Sequence, residues 1–272
     1  MRPILVGAVI YDPKVAVIWE IITRFFDAAG CRMDCVFYTN YALQVDALLE
    51  RQIDIAWNSP LAWVDAERRA TGQCVALAMR DTDRDRVTHL VARADGAVKR
   101  AADLRGRRVA VGAVDSPQAT LLPLHHLRRR GLVAGKDFEV ERHDVLVGKH
   151  GDHVGGEREA LKSLLDGKSD AACVLDLNWR LWSADGTCDP KRIVVLETTP
   201  PFDHCNFTAL RSFPRQRAEE WTRVLLSMDY AHPAHREMMD LEGLKAWMPG
   251  RVSGYRALRE AVEEQNFFAL VG

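Results

Sequence analysis

The sequence predicts an α/β fold built as two doubly wound, Rossmann-like lobes, and three observations carry the prediction. Apolar runs of strand length alternate with stretches of helical periodicity from the first residues onward, the pattern of a sheet with helices on its faces. The alternation runs through two series, the second beginning near Asp95, and a mostly helical tail follows. Residues 109–127 read as strand, polar turn and amphipathic helix. Val109, Val111 and Val114 supply the apolar run, while Leu121, Leu124 and Leu127 recur at helical spacing. Asp115 or Ser116 suits the N-cap, and Pro117 suits the first helical position, where no N–H is needed. Such a junction aims backbone N–H groups and the positive end of the helix dipole at a place where an anion can sit.

The elements follow in order. The first series predicts a strand over 4–10 and a helix over 15–29, with Val15, Ile18, Trp19, Ile22 and Phe26 on one face and Gly30 as its stop. A strand over 35–38, a helix over 41–51 and a strand over 53–57 come next. Ser59-Pro60 then opens a helix that runs to 71, with Gly72 behind it. Strands over 74–79 and 88–93 flank the charged run Arg80-Asp-Thr-Asp-Arg-Asp-Arg86, which reads as a solvated turn. The second series predicts a short helix ending at Gly106, the 109–127 unit, a strand over 138–143, a helix over 157–166 and a strand over 171–175. A helix over 178–183 and a strand over 193–196 complete it. Beyond Pro200-Pro201 a strand over 207–210 returns, followed by helices over 215–228, around 237–247 and over 255–265. Trp221 and Trp247 fit helix packing, and the pair His125-His126 falls in mid-helix as structural or exposed residues.

Composition narrows the function classes. The chain has 272 residues, 47% hydrophobic and 28% charged, which suits a globular protein of one large domain or of two lobes of ordinary size. A formal net charge of -1 provides no field for nucleic acid or an anionic membrane. Arg128-Arg-Arg130 is an isolated cluster at a helix end, where cations suit the dipole. The longest apolar runs, such as 15–22, are broken by charge and too short for membrane insertion. The start Met1-Arg-Pro-Ile-Leu-Val-Gly enters a strand without an apolar leader or cleavage site. As written it predicts a cytoplasmic protein; with a leader removed, the same chain would be periplasmic. Six cysteines lack CxxC spacing and read as small buried hydrophobes in a reducing compartment.

Four segments, in order, resemble the phosphonate-binding branch of the type 2 periplasmic solute-binding proteins. They are 38–63, where Tyr41 heads a helix ahead of Asp54-Ile-Ala-Trp-Asn-Ser-Pro-Leu-Ala62; Asp103-Leu-Arg-Gly-Arg-Arg-Val-Ala110; Lys168-Ser-Asp-Ala-Ala-Cys-Val174; and Thr199-Pro-Pro-Phe-Asp-His-Cys-Asn-Phe207. The resemblance implies two lobes with a hinge: lobe 1 from 1–91 plus 205–272, lobe 2 from 92–204, and a ligand cleft between them. The crossovers would fall near 91–93 and 198–206. Phosphonate binders of this family carry a Ser-Thr-Ser-like run at the helix start, where this chain has Ser116, Pro117 and Gln118. Pro117 supplies neither hydroxyl nor N–H. Ser116, Gln118 and the N–H groups of Ala119 and Thr120 are left to hold a carboxylate or a smaller oxyanion.

Further ligand-binding candidates lie at strand ends. Tyr11 follows the first strand and Tyr41 opens a helix after the second; the resemblance places aromatic residues there. Trp57, Asn58 and Ser59 join strand to helix, with Ser59 as N-cap and Asn58 as ligand contact. Asp176 is read as a helix cap or as the partner of a ligand amine, with Asn178 and Trp179 weaker candidates. His143 and the run Lys149-His-Gly-Asp-His-Val-Gly-Gly156 have three readings: a solvated loop, a ligand loop through His150 and His153, or a metal site. The metal reading joins His143, His150 and His153 with Asp152 or His204-Cys205.

The leading functional expectation is a non-catalytic binder of a small anionic or zwitterionic metabolite, with no cofactor and no resident metal. If exported, it would serve an ABC transporter permease. The alternative is a cytosolic enzyme on the same fold, of decarboxylase, dehydratase or pyrimidine-precursor synthase type. It would use His150 or His153 as general acid and base beside an anion clamp at Ser116.

Overall fold

The predicted alternation is realised in a computed structural model that describes residues 2–151 and 155–271. Contacts divide the chain into two units, Met1–Arg84 with Asp203–Gly254 and Asp85–Phe202 with Tyr255–Gly272.

In the first unit, β1 (Ile4–Val9) pairs in parallel with β2 (Met33–Tyr38) and with β3 (Ile55–Asn58). The chain then adds β4 (Cys74–Arg80) and, after its excursion through the second unit, β10 (Asn206–Leu210) and β11 (Trp247–Pro249). β10 inserts antiparallel between β3 and β4, and the sheet order is β11-β4-β10-β3-β1-β2. Five helices cover it: α1 (Lys14–Ala28), α2 (Tyr41–Leu49), α3 (Pro60–Arg69), α7 (Arg215–Leu226) and α8 (Pro233–Leu241). The predicted face of α1 is the buried one, with Val15, Ile18, Trp19, Ile22 and Phe26 inside. Phe26 stacks on Trp221 of α7 at 5.3 Å, and Phe207 meets Trp221 edge-on at 4.7 Å, so the core is aromatic at its centre.

The second unit holds β5 (Thr88–Arg93), β6 (Arg108–Val111), β7 (Glu139–Arg142), β8 (Ala171–Leu175) and β9 (Ile193–Thr198) in the order β7-β6-β8-β5-β9. β6 runs parallel to β7 and β8, while β5 is antiparallel to β8 and β9. Its helices are α4 (Leu122–Arg129), α5 (Gly155–Leu165), α6 (Asp176–Ala184), α9 (Arg256–Glu264) and α10 (Phe267–Val271). The central strand β8 is buried at every position, as a strand covered on both faces must be.

Four expectations are corrected here. First, the run 80–86 is not a solvated turn. Asp83 is 1% exposed and is gripped by Arg80, whose Nε and Nη2 reach its two carboxylate oxygens at 2.7 and 2.8 Å. Burial would raise this carboxyl, but the guanidinium holds it well below the usual carboxylate range. Second, residues 247–249 form the edge strand β11, not the end of a helix. The preceding helix stops at Leu241, Gly243 turns the chain at φ +69, and Trp247 registers against Arg80. Third, the first passage between units falls at 84–85 rather than near 91–93, because β5 belongs wholly to the second sheet. Fourth, residues 255–271 group with the second unit, not with lobe 1. There His125 Nδ1 of α4 stands 3.2 Å from Glu264, and Gln265 donates to the Leu121 carbonyl at 2.9 Å. All six cysteines are unbridged, five of them buried. Among the described residues no helix is long and apolar enough to cross a membrane.

Candidate functional site

The strand–helix junction of the second unit is built as a dense polar cradle. β6 ends at Val111 and the chain turns through 112–116 into a π-helical turn, Pro117–Leu121, that continues as α4. Ser116 caps it. Its Oγ accepts the Ala119 N–H at 3.2 Å, and its carbonyl accepts the N–H groups of Thr120 and Leu121 at 3.1 and 3.0 Å. The extra residue in the turn follows from this double use of one carbonyl. It also qualifies an expectation: the N–H groups of Ala119 and Thr120, proposed as anion donors, are bonded within the chain.

The loop after β7 is laid over this junction. Val114 N–H donates to Asp144 Oδ1 at 2.7 Å, Gly148 N–H to Asp115 Oδ2 at 2.5 Å, and Gln118 Nε2 to the Gly151 carbonyl at 2.8 Å. Gly156, at the start of α5, closes the approach. A Cβ there would stand 2.4 Å from the His143 carbonyl oxygen, so only glycine fits. His150 lies with its Nε2 4.0 Å from Asp115 Oδ2, and burial lowers its pKa to about 3, which keeps the ring neutral. His143 pairs with Glu141 at 3.0 Å. His153 and Asp152, candidates for ligand or metal contact, lie outside the described residues.

Within this cradle Gln118 and Thr120 are almost fully buried, and Gln118 Oε1 and Thr120 Oγ1 have no hydrogen-bond partner among the described residues. A buried polar atom without a partner costs about 1–3 kcal/mol. Asp176, expected to meet a ligand amine, pairs through Oδ2 with Arg86 at 3.3 Å and with Arg180 at 3.6 Å, while its buried Oδ1 has no hydrogen-bond partner among the described residues. Asn178 Nδ2 donates to Glu157 Oε1 at 3.0 Å; that carboxylate, absent from the sequence-based candidates, also accepts the Leu175 N–H.

In the first unit, the predicted cap is present: Ser59 Oγ accepts the Ala62 N–H at 3.1 Å. Asn58, expected as the ligand contact, is fully buried, and both ends of its amide are used. Oδ1 accepts Gln44 Nε2 and Nδ2 donates to Thr208 Oγ1, each at 2.9 Å; Thr208 Oγ1 in turn donates to Asn206 Oδ1 at 2.8 Å. This network ties α2, β3 and β10 together. Sequence reasoning missed Gln44, although a polar residue sharing a stripe with Tyr41, Val45 and Leu48 was the signal. Trp57 packs into the aromatic core against Phe207 at 4.5 Å and Trp247 at 5.9 Å, with the Arg80 guanidinium 5.2 Å from its ring centroid. Tyr41 is buried at the head of α2, and Tyr11 is half-buried against the core.

Two mixed α/β units, each with a capped helix starting at the end of a strand, define the class of type 2 periplasmic binding proteins. The sequence pattern of the family described as "ABC transporter, phosphonate, periplasmic substrate-binding protein" matches residues 17–255, and the chain belongs to that family. It is similar to a probable ABC transporter phosphite binding protein, PhnD1, of Prochlorococcus marinus, with 23% identity over 240 residues, 84% of this chain and 76% of the relative. The solved structure of PhnD1 with methylphosphonate superposes with a TM-score of 0.70 at 18% identity, covering 97% of this chain and 98% of that one. XAC2383 of Xanthomonas citri bound to ATP gives 0.73 at 14% identity, covering 98% of each. Family membership implies a small-molecule ligand and a transporter permease as partner, and the enzyme alternative is not favoured.

Proposed function

We propose that this chain is the solute-binding component of an ABC transporter and that it binds one small anionic or zwitterionic metabolite. The observation that carries this reading is the buried junction at Ser116–Thr120. Its side-chain oxygens on Gln118 and Thr120 lack partners among the described residues, and a ligand's polar groups would satisfy them. The relative PhnD1 is named for phosphite and was crystallised with methylphosphonate. Replacement of a hydroxyl-rich grip by Pro117 and Gln118 favours here an oxyanion that itself carries a donor, because Gln118 Oε1 can only accept. Monoprotonated oxyacids and amino acids meet that condition. Tyr11, Ser116, Gln118, Thr120, His150 and His153 are the proposed contacts, with Tyr41 and Asn58 as supports.

Isothermal titration with phosphite, methylphosphonate, phosphate, small dicarboxylates and amino acids tests the reading. At least one acidic or zwitterionic member should bind one per chain. Gln118→Ala should weaken it at least tenfold, which is the effect of about 1.4 kcal/mol. Binding unchanged in Gln118→Ala and Ser116→Ala would sink the site assignment.

A further inference from the structure

Away from the residues assigned to the solute, one buried group of the first unit has the composition and spacing of a metal site. Asp83 lies in the short helical turn after β4, and His204 and Cys205 immediately precede β10, the antiparallel neighbour of β4. The backbone already joins the two segments: His204 N–H donates to the Asp83 carbonyl at 2.7 Å, and Cys205 N–H to Asp83 Oδ1 at 3.2 Å. His204 Nδ1 stands 3.1 Å from Cys205 Sγ and 3.4 Å from Asp83 Oδ1, and the three donor atoms all lie within 4.8 Å of one another. Around a tetrahedral zinc ion with bonds of about 2.0–2.3 Å, neighbouring donor atoms stand roughly 3.4–3.6 Å apart. The two spacings from His204 Nδ1, 3.1 and 3.4 Å, are thus close to those of a coordination tetrahedron, and the third lies within 4.8 Å.

Charge and donor chemistry point the same way. Arg80 forks onto Asp83 and also reaches Glu242 at 2.9 Å, so with both carboxylates ionised the cluster carries one net negative charge. A divalent cation together with a Cys205 thiolate adds one positive charge and leaves the buried group neutral. Arg80 does not compete for the ion in this arrangement. It becomes the outer partner that orients a ligating carboxylate, as carboxylates on metals are commonly held. One nitrogen, one oxygen and one sulfur select a borderline ion of the zinc type over magnesium or calcium, which require oxygen shells.

We propose that Asp83, His204 and Cys205 bind a zinc-type transition-metal ion that fastens the segment returning into the first sheet onto the end of β4. Three protein donors leave one coordination position for water or an added ligand.

The test uses the full chain, dialysed against chelator and titrated with Co²⁺ and then Zn²⁺. The expected result is one Co²⁺ per chain, with a thiolate-to-cobalt charge-transfer band and the intense visible absorption of a tetrahedral ion, both abolished when Zn²⁺ displaces it. Cys205→Ser should lose the charge-transfer band. Cys205→Ser and His204→Gln should each weaken Zn²⁺ binding by more than the ~10–100-fold that follows loss of an outer partner. No stoichiometric uptake, uptake without the thiolate band, or Zn²⁺ affinity unchanged in Cys205→Ser overturns the proposal. If either variant fails to fold, the presence or absence of the band in the unsubstituted chain decides alone.

Discussion

Gln118 links the two halves of the second-unit cradle, since one end of its amide bonds the Gly151 carbonyl while the other faces no partner among the described residues. Its neighbour across that cradle, His150, makes the acid behaviour of the protein legible. Burial lowers His150 from 6.5 to about 3. Between those values the unfolded chain takes up a proton that the native chain refuses, so this contribution to stability is complete above about pH 6.5 and shrinks as pH falls toward 3. His150→Asn should remove that acid slope in urea unfolding measured across the window, because asparagine tolerates the φ of +49 found there. Equal slopes in both proteins would contradict the account. Asp83 offers a second residue-scale test. Asp83→Asn leaves the Arg80 guanidinium buried with a weakened partner, and breaking such a pair costs about 3–5 kcal/mol, read as a lower urea midpoint at unchanged slope. The sequence revealed the charges of 80–86 but not this burial. An Arg and an Asp three apart look solvated unless a neighbouring strand is known to cover them, and β11 was the strand that went unrecognised.

At the scale of elements, the helix faces and most strand starts were legible because apolar periodicity decides them. The face of α1 and the N-caps Ser59 and Ser116 are found where the pattern placed them. Element ends were less legible, since tertiary contacts decide them: Gly243 stops α8 and the free edge of β4 recruits Trp247–Pro249. The candidate site shows the same division. Ser116 and Gln118 occupy the junction that the sequence singled out, whereas the Asn58 amide and one carboxylate oxygen of Asp176 are drawn into internal pairs that no spacing rule displays. Two predictions belong here. Gly156→Ala would set a Cβ 2.4 Å from the His143 carbonyl, so the start of α5 must shift, at a cost of about 1–3 kcal/mol seen as a lower Tm. The double variant Pro117→Thr, Gln118→Ser restores the hydroxyl run of the family's phosphonate binders. It should raise affinity for methylphosphonate by at least tenfold in titration calorimetry, and an unchanged or weaker affinity would count against the altered-grip account.

At the scale of the whole molecule, two α/β units in sequence order were legible from the repeated alternation, and family membership over residues 17–255 agrees with them. The assignment of residues 255–271 was not legible, because an amphipathic helix declares that it has a buried face but not which sheet will bury it; the contacts of Glu264 and Gln265 with α4 and its preceding turn make that choice. The proposed function requires the full chain to hold one small acidic or zwitterionic solute. Native mass spectrometry of the full chain, titrated with acidic, zwitterionic and neutral metabolites of matched size, tests it most directly. A saturable one-to-one adduct is expected with at least one charged compound, none with the neutral set, and loss of that adduct in Gln118→Ala. An adduct formed equally with neutral compounds, or none with any charged member of the panel, would contradict it.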